Sequence, residues 1–210
     1  MEMAGINWSD MYARRREIHA RWPAIWNVPL AKKSFDLIAC GMKDAESLLD
    51  IGAFERGLES KLKERFPDLR YKSMDTDRGR SHDYYSLDDV RERFDVVVLS
   101  EVIEHLALGE GIALMRRAGE LLDPSGRMIL TTPNTFMPSR FLSDPTHKTA
   151  WAYDELGAVL MCLGFRVASI HRMYNDAFFR RLARRTILAP LHRWISVDFA
   201  RSIAIVVGKN

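Results

Sequence analysis

A chain of 210 residues is the size of a single domain, and a net charge of +3 is too small to indicate a nucleic-acid partner. No apolar run approaches the roughly 20 residues of a membrane span, and no hydrophobic signal core stands near the N-terminus, so the sequence predicts a cytoplasmic protein. Two cysteines, Cys40 and Cys162, are too few for a disulfide framework, and both are expected to be buried free thiols.

The N-terminal segment, residues 1–45, is predicted to be helical from residue 7 onward. Apolar side chains from Trp8 to Ile18 recur with helical spacing, Trp22-Pro23 interrupts the pattern, and a second helix is predicted at 30–42. Helices in this position either cover one edge of a sheet or close over a ligand. The pattern leaves both roles open.

From residue 46 onward, strand and helix patterns alternate, as a parallel sheet with crossover helices requires. Strands are predicted at 47–51, 69–74, 82–85 (a brief one), 95–99, 127–132, 165–170 and 202–207, and helices at 55–66, 109–122 and 152–163. The pattern therefore predicts one α/β domain over residues 1–210. Its core comprises residues 46–174 and 202–210.

Two strand ends carry the candidate ligand site. The first strand ends in Asp50-Ile51-Gly52 and turns directly into a helix, where a glycine lets the backbone approach a ligand and the helix N-terminus adds a positive dipole end. A second buried strand begins at Phe94 and ends in Ser100-Glu101-Val102-Ile103-Glu104-His105. In open α/β sheets, ligands bind at this carboxyl edge.

Together the two motifs resemble class I S-adenosylmethionine-dependent methyltransferases. The string Glu101-Val102-Ile103-Glu104-His105 is similar to that of ubiquinone-pathway O-methyltransferases and of many sugar and natural-product methyltransferases. The resemblance covers residues 47–165 and the final strand. It implies a Rossmann-like three-layer αβα sandwich, with a seven-stranded, mostly parallel sheet whose last strand is antiparallel between the fifth and sixth.

The resemblance also implies a site for S-adenosylmethionine and its product S-adenosylhomocysteine. The family's glycine turn, ribose-binding acid, adenine contacts and methionine-side loop match Asp50, Gly52, Asp75, Thr76, Asp83, Tyr84, Ser100 and Glu101. The first motif is incomplete, because Phe54 and Arg56 stand where the family usually has glycines. An ordinary β-to-α turn with solvated aspartates is the alternative.

Two histidines are the candidate catalytic residues. His105 is a candidate general base because an imidazole titrates near neutral pH, and His147, in the loop after the fifth core strand, is a reserve base or acceptor contact. Structural roles at the loop are the alternatives for both. In ubiquinone-type enzymes the positions matching Glu101, Glu104 and His105 have been linked to a divalent metal, but many relatives with this string have no known metal, so no metal is favoured.

Residues 175–201 form a basic insertion between the last two strands. Arginines and apolar side chains of 178–195 fall on different helical faces. This segment therefore lies on an anionic membrane surface, binds a phosphate-bearing acceptor, or packs on the sheet edge with its arginines in solvent.

The function that the resemblance implies is methyl transfer to a hydroxyl of a small molecule, a sugar or a lipid-linked glycan. A non-catalytic methyltransferase fold is the first alternative. A nicotinamide oxidoreductase is the second, disfavoured because the glycine fingerprint and a helically spaced tyrosine-lysine pair are absent from the sequence. No nucleic-acid partner is expected, and the oligomeric state stays open.

Overall fold

A seven-stranded sheet organises the chain in a computed structural model that describes residues 2–3 and 5–209. In chain order the strands are β1 (Glu2–Met3), β2 (Ile6–Asn7), β3 (Leu30–Ala31), β4 (Ser47–Ile51), β5 (Arg70–Met74), β6 (Phe94–Ser100), β7 (Leu122–Pro133), β8 (Phe165–Met173) and β9 (Ser202–Lys209). The helices are α1 (Trp8–Arg21), α2 (Ser34–Gly41), α3 (Gly57–Arg65), α4 (Leu108–Glu120), α5 (Pro138–Leu142), α6 (Tyr153–Cys162), α7 (Phe178–Arg185) and α8 (Ala189–Trp194).

The sheet has the order β3-β8-β9-β7-β6-β4-β5, and β1 and β2 pair separately. Strand β9 runs antiparallel between β7 and β8, while the other neighbours in the sheet are parallel. The Rossmann-like architecture and the antiparallel last strand are therefore confirmed. The carboxyl ends of β4, β6, β7 and β8 meet at one edge, which we call the ligand edge.

Alternating side chains of the central strand β6 point to the two faces of the sheet. Val97 and Leu99 pack in one cluster with side chains of α1, α4 and α6, whereas Val96 and Val98 pack in another with side chains of α2 and α3. Helices thus cover both faces, which makes the three layers.

The prediction of a strand at 82–85 is wrong, because this segment forms one isolated β-bridge, between Met74 and Tyr84, and no strand. The Asp83 carboxylate accepts the backbone N–H of Ser73 at 3.0 Å and so occupies the donor that a ladder beside β5 would use. The sheet still has seven strands, since the N-terminal segment supplies β3 at the opposite edge.

The helix predicted at 30–42 begins only at Ser34, and the N-terminal segment is not purely helical. The backbone of β3 pairs with the end of β8, where Arg172 N–H donates to Pro29 O and Tyr174 N–H donates to Ala31 O. Pro29 itself has no N–H and holds an extended φ, which favours a strand here.

The basic insertion contains two short helices, α7 and α8, which are separated by residues 186–188, and Pro190 lies in the first turn of α8. Among the described residues, no helix is both long and apolar enough to cross a membrane. The two cysteines are free thiols, but Cys40 is exposed and Cys162 half-buried, so the expectation of full burial is wrong.

Candidate functional site

The turn after β4 brings the backbone of Gly52 close to the loop after β6. Gly52 has φ +75°, and a Cβ atom at this position would lie 2.5 Å from Cγ2 of Val102. Its N–H donates to the carbonyl oxygen of Met74 at 2.8 Å. Glycine is therefore required here both by the backbone conformation and by the lack of space, as expected of a turn that passes beneath a bound ligand.

Phe54 and Arg56 adopt left-handed backbone conformations, with φ +44° and +55°. These are the two positions where the sequence departs from the glycine motif. The turn thus keeps a conformation that suits glycine while carrying two large side chains. Each such residue stores on the order of 1 kcal/mol of strain, and strain of this kind is concentrated at functional sites.

Asp75 lies at the carboxyl end of β5 and holds this turn. One carboxylate oxygen accepts the backbone N–H of Phe54 at 2.9 Å, and the other accepts that of Asp77 at 3.1 Å. The side chain is half-buried and Thr76 beside it is exposed. Because a carboxylate offers about four acceptor positions, Asp75 retains capacity for the hydroxyls of a ribose.

Asp83 and Tyr84 are engaged by their neighbours. Burial alone raises the pKa of Asp83, but hydrogen bonds from Ser73 and Lys72 outweigh it and hold that pKa below its ordinary value. Tyr84 donates its hydroxyl to Glu92 at 2.6 Å, and burial together with this carboxylate raises the pKa of Tyr84 to about 12. The adenine contact assigned to these residues stays a prediction.

Asp50 is a buried carboxylate, 4% exposed, that accepts the Tyr71 hydroxyl at 2.6 Å. Burial raises the pKa of Asp50 to about 6, although the tyrosine hydrogen bond opposes the shift. With Gly52 and Ser100, Asp50 lines a cavity of about 210 Å³ at the ligand edge.

A second cavity of about 560 Å³ adjoins the first and shares Ser34, Phe35, Lys61 and Ser100 with it. We call the two together the cleft. The charged side chains on the larger cavity are five cations and one carboxylate, namely Lys32, Lys33, Lys61, Arg140, Arg201 and Glu101. Its lining is therefore strongly positive.

Glu101 begins the loop after β6 in a left-handed conformation, with φ +54°. Its N–H donates to the carbonyl oxygen of Thr131, and its carboxylate lies 3.9 Å from Arg140. Burial raises the pKa of Glu101 above its ordinary value, although these neighbours oppose the shift. The strained loop turns the next residues toward the segment after β7.

His105 is held by a short chain of hydrogen bonds. Nδ1 of His105 lies 2.8 Å from Oγ1 of Thr146, whose hydroxyl donates to Asp144 at 2.6 Å. Because the threonine proton goes to the carboxylate, the hydroxyl oxygen accepts from His105, which places the imidazole proton on Nδ1. Nε2 of neutral His105 therefore carries the lone pair.

His147 presents its Nε2 in the same way. Its Nδ1 lies 2.8 Å from the carbonyl oxygen of Phe141, which only accepts, so Nδ1 is the protonated nitrogen. The ring centroids of His105 and His147 are 4.8 Å apart. The side chain of His147 is 7% exposed, which makes it the more buried of two adjacent bases.

Glu104, His105 and His147 form a cluster, in which Glu104 is the buried member. It is fully buried, accepts the Thr132 hydroxyl at 3.1 Å through one oxygen, and has no partner for the other. Burial raises the pKa of Glu104 to about 7. Ligand atoms of Glu104, His105 and His147 lie within 4.8 Å of one another. This cluster differs from the set that the resemblance links to a metal, Glu101, Glu104 and His105, because His147 and not Glu101 stands beside the other two.

The chain matches a known family over most of its length. A family model described as a methyltransferase domain matches residues 25–186. The chain belongs to this methyltransferase family. The class I S-adenosylmethionine-dependent assignment that the two motifs predicted is therefore confirmed.

A curated relative supports this methyltransferase assignment over part of the chain. The ubiquinone biosynthesis O-methyltransferase of Azorhizobium caulinodans is 37% identical over 106 residues, which cover 43% of this chain and 40% of that protein. The match therefore spans well under two thirds of the relative's length.

Solved methyltransferase structures share the fold. A SAM-dependent methyltransferase from Archaeoglobus fulgidus superposes with a TM-score of 0.65 at 19% identity, covering 84% of this chain and 95% of that one. A plantazolicin methyltransferase in complex with SAH gives a TM-score of 0.58 at 14% identity, covering 96% and 90%.

The structure adds residues that the sequence did not point to in this methyltransferase. Asp144 and Thr146 fix the tautomer of His105, and Arg140 lines the cleft with its buried Nε–H unpaired. Asp144 and Thr146 stand just before His147 in the sequence, and Asp-x-Thr is an Asx-turn signal that could have pointed to them. No sequence pattern around Arg140 indicates its position in the cleft, because that position depends on how α5 packs there.

Proposed function

We propose that this chain methylates a hydroxyl group of a small molecule, a sugar or a lipid-linked glycan, with S-adenosylmethionine as methyl donor. The observation that carries the proposal is the contact between Gly52 and Val102, because it joins the ligand turn after β4 to the loop that holds His105. The curated relative is an O-methyltransferase of ubiquinone biosynthesis, which supports the choice of a hydroxyl acceptor.

The residues of the chain bind, orient and accept a proton in this proposal. When bound, S-adenosylmethionine supplies an electrophilic methyl group. The turn at Gly52, the carboxylates of Asp50 and Asp75, and Ser100 hold the donor at the cleft. Nε2 of His105 takes the hydroxyl proton of the acceptor, while Thr146 keeps the imidazole in the required tautomer.

His147 and Glu104 stabilise the protonated form of His105. A charged imidazolium next to a carboxyl group of raised pKa favours ionisation of that carboxyl, so the proton gained by His105 is balanced locally. The ring centroids of the two bases are 4.8 Å apart, and His147 serves as the second proton acceptor.

The charge of the cleft favours an acceptor that carries negative charge. No carboxylate pairs with Lys32, Lys33, Lys61 or Arg201 within the described part of the chain, and Arg140 has only the distant Glu101. These cations would attract a phosphate or carboxylate group on the acceptor, and dissolved salt would partly screen that attraction.

A divalent cation is the second role that the histidine cluster fits. Two neutral imidazole nitrogens and the unpartnered oxygen of Glu104 form a donor set that suits such an ion. A bound cation would polarise the acceptor oxygen, and His105 would then act as a ligand instead of a base.

A non-catalytic binding role is the second candidate function, favoured by the strained turn at Phe54 and Arg56. Calorimetry with S-adenosylhomocysteine, and with NADH as a control, separates the candidates. We expect S-adenosylhomocysteine to bind, Gly52→Ala to abolish binding, and Gly208→Ala to preserve it, because Gly208 lines neither cavity of the cleft and a Cβ there would come no closer than 3.6 Å to another atom. Binding of NADH alone would contradict the methyltransferase proposal. Methyl transfer from labelled donor to a cell-extract acceptor then separates an enzyme from a binding protein.

A further inference from the structure

The insertion between β8 and β9 exposes an unusual amount of apolar surface. Of the eleven large apolar side chains that are exposed among the described residues, eight lie within 178–195. We call these eight the apolar patch: Phe178, Phe179, Leu182, Ile187, Leu188, Leu191, Trp194 and Ile195. The most exposed are Trp194 at 83% and Phe179 at 80%. Exposed apolar side chains gathered in one segment indicate a contact surface.

The charge of the segment identifies the partner's chemistry. Residues 177–197 contain five arginines and neither aspartate nor glutamate. Arg180 and Arg184 pair with Asp176 just before α7, whereas no carboxylate in the described ranges pairs with Arg185 or Arg193. Apolar and aromatic side chains among arginines complement an anionic membrane surface, where the rings enter the headgroup boundary. Two copies of so basic a surface would repel each other.

A cavity of about 450 Å³ lies under the two helices. The insertion contributes Arg184, Arg185, His192 and Arg193 to its wall, and Nδ1 of His192 is buried without a partner. Arg172 also lines the cavity, but its charge is neutralised by Asp198 at 2.9 Å. Arg185 and Arg193, with which no carboxylate of the described ranges pairs, and the free Nδ1 of His192 suit a phosphate group.

The insertion is continuous with the cleft. Met173 and Tyr174 just before it, Arg201 at its end and Ser202 just after it all line the larger cavity of the cleft. A surface bound through α7 and α8 would therefore lie beside the opening through which an acceptor enters.

We propose that residues 178–195 dock this protein on an anionic phospholipid membrane, with the apolar patch in the headgroup boundary and a lipid phosphate in the arginine-lined cavity beneath it. Docking does not depend on methyl transfer, so it is tested separately from the proposed activity. A docked chain presents its cleft to lipid-linked acceptors.

Sedimentation with vesicles tests the proposal on the full chain. We expect binding to vesicles of phosphatidylglycerol and phosphatidylcholine, weaker binding as salt rises, and little binding to phosphatidylcholine alone. The Phe179→Ser/Trp194→Ser variant should bind at least about tenfold more weakly, since two large side chains leave the boundary. Leu142→Ser, which changes a 76% exposed leucine outside the patch, should bind like the wild type.

The arginines are tested by a second matched pair of variants. Arg185→Ala/Arg193→Ala should weaken vesicle binding about tenfold or more, as expected for two basic residues near an anionic surface. Lys43→Ala/Arg91→Ala, which removes two exposed charges just before the amino ends of β4 and β6, should leave vesicle binding unchanged. Failure of the wild type to bind anionic vesicles overturns the proposal, whether the protein instead binds inorganic phosphate or forms a dimer that the patch variant dissociates.

Discussion

The imidazole rings of His105 and His147 lie 4.8 Å apart, and the Nδ1 of each is engaged by an oxygen of the segment after β7. Both neutral rings therefore present Nε2 as the basic atom. The two oxygens differ in kind, since Phe141 offers a backbone carbonyl and Thr146 a hydroxyl committed to Asp144. A side-chain substitution can remove only the second.

The Thr146→Val variant tests the tautomer of His105. Without the hydroxyl oxygen, Nδ1 loses its acceptor, and the ring proton is free to move to Nε2. Nitrogen NMR of the imidazoles should show Nδ1–H for both rings in the wild type, and a shift toward Nε2–H for His105 alone in the variant. Because Phe141 still holds His147, that ring is the internal control. An Nε2–H tautomer of His105 in the wild type would rule out the base assignment.

The buried carboxyl groups should make the fold less stable as pH rises. Burial raises the pKa of Glu104 from 4.5 to about 7, so the folded state holds its proton where the unfolded state has lost it. Stability is then full below about pH 4.5 and declines up to about pH 7. Asp50 acts in the same direction between 3.8 and about 6.

The Glu104→Gln variant isolates the larger of these two effects. Urea unfolding of the metal-free wild type at pH 5 and pH 8 should show a loss that the variant lacks, of about 2–3 kcal/mol at most. Addition of MgCl₂ at pH 8 should restore stability to the wild type only if the cluster binds the cation. A wild type and variant with equal pH dependence would contradict the raised pKa.

The left-handed turn at Phe54 predicts that glycine is better tolerated than alanine. Both substitutions remove the contact of the phenyl ring with Arg80, whose guanidinium lies 4.2 Å from the ring centroid. Only glycine also relieves the strain at φ +44°. Phe54→Gly should therefore be about 1 kcal/mol more stable than Phe54→Ala in urea unfolding. Equal stabilities of the two variants would mean that the turn changes its conformation once the phenyl ring is removed, so that glycine has no strain left to relieve.

The sequence predicted the fold because its signals are local. Buried β strands such as 95–99 and the turns that bound them are specified by neighbouring residues, and each of the two motifs that identify the family is a continuous run of sequence. The prediction of a strand at 82–85 failed because the Asp83 carboxylate accepts the backbone N–H of Ser73. This hydrogen bond joins residues ten positions apart, and no periodicity reveals it. Strand β3 was not predicted, because its two residues acquire strand character only by pairing with β8, which is far away in the sequence.

The site was predictable where its residues follow strand ends and not where loops converge. Asp50, Gly52, Ser100 and Glu101 lie at the ligand edge, as strand topology requires. The meeting of Glu104 with His147 depends instead on the path of the loop after β7. Its backbone is tied down where Lys148 and Thr149 N–H groups donate to the Glu104 carbonyl. Because that path depends on tertiary contacts, local sequence patterns do not reveal it.

The buried ion pair between Arg172 and Asp198 should be the strongest single contact that fixes the base of the insertion. Asp198 is 2% exposed and also accepts hydrogen bonds from Asn134 and from the Phe199 backbone. Arg172 in turn donates to the carbonyl oxygen of Val28. Asp198→Ala leaves the guanidinium buried and unpaired, and should lower the free energy of unfolding by about 3–5 kcal/mol.

A double substitution separates the loss of the pair from the loss of packing. Arg172→Met/Asp198→Leu removes both charges and should be less destabilised than Asp198→Ala alone, because no uncompensated charge remains. Urea unfolding measures both variants, and Arg166→Met, an exposed arginine on the same strand, serves as the control. A double variant at least as unstable as Asp198→Ala would contradict the claim that the unpaired guanidinium charge is what destabilises the single variant.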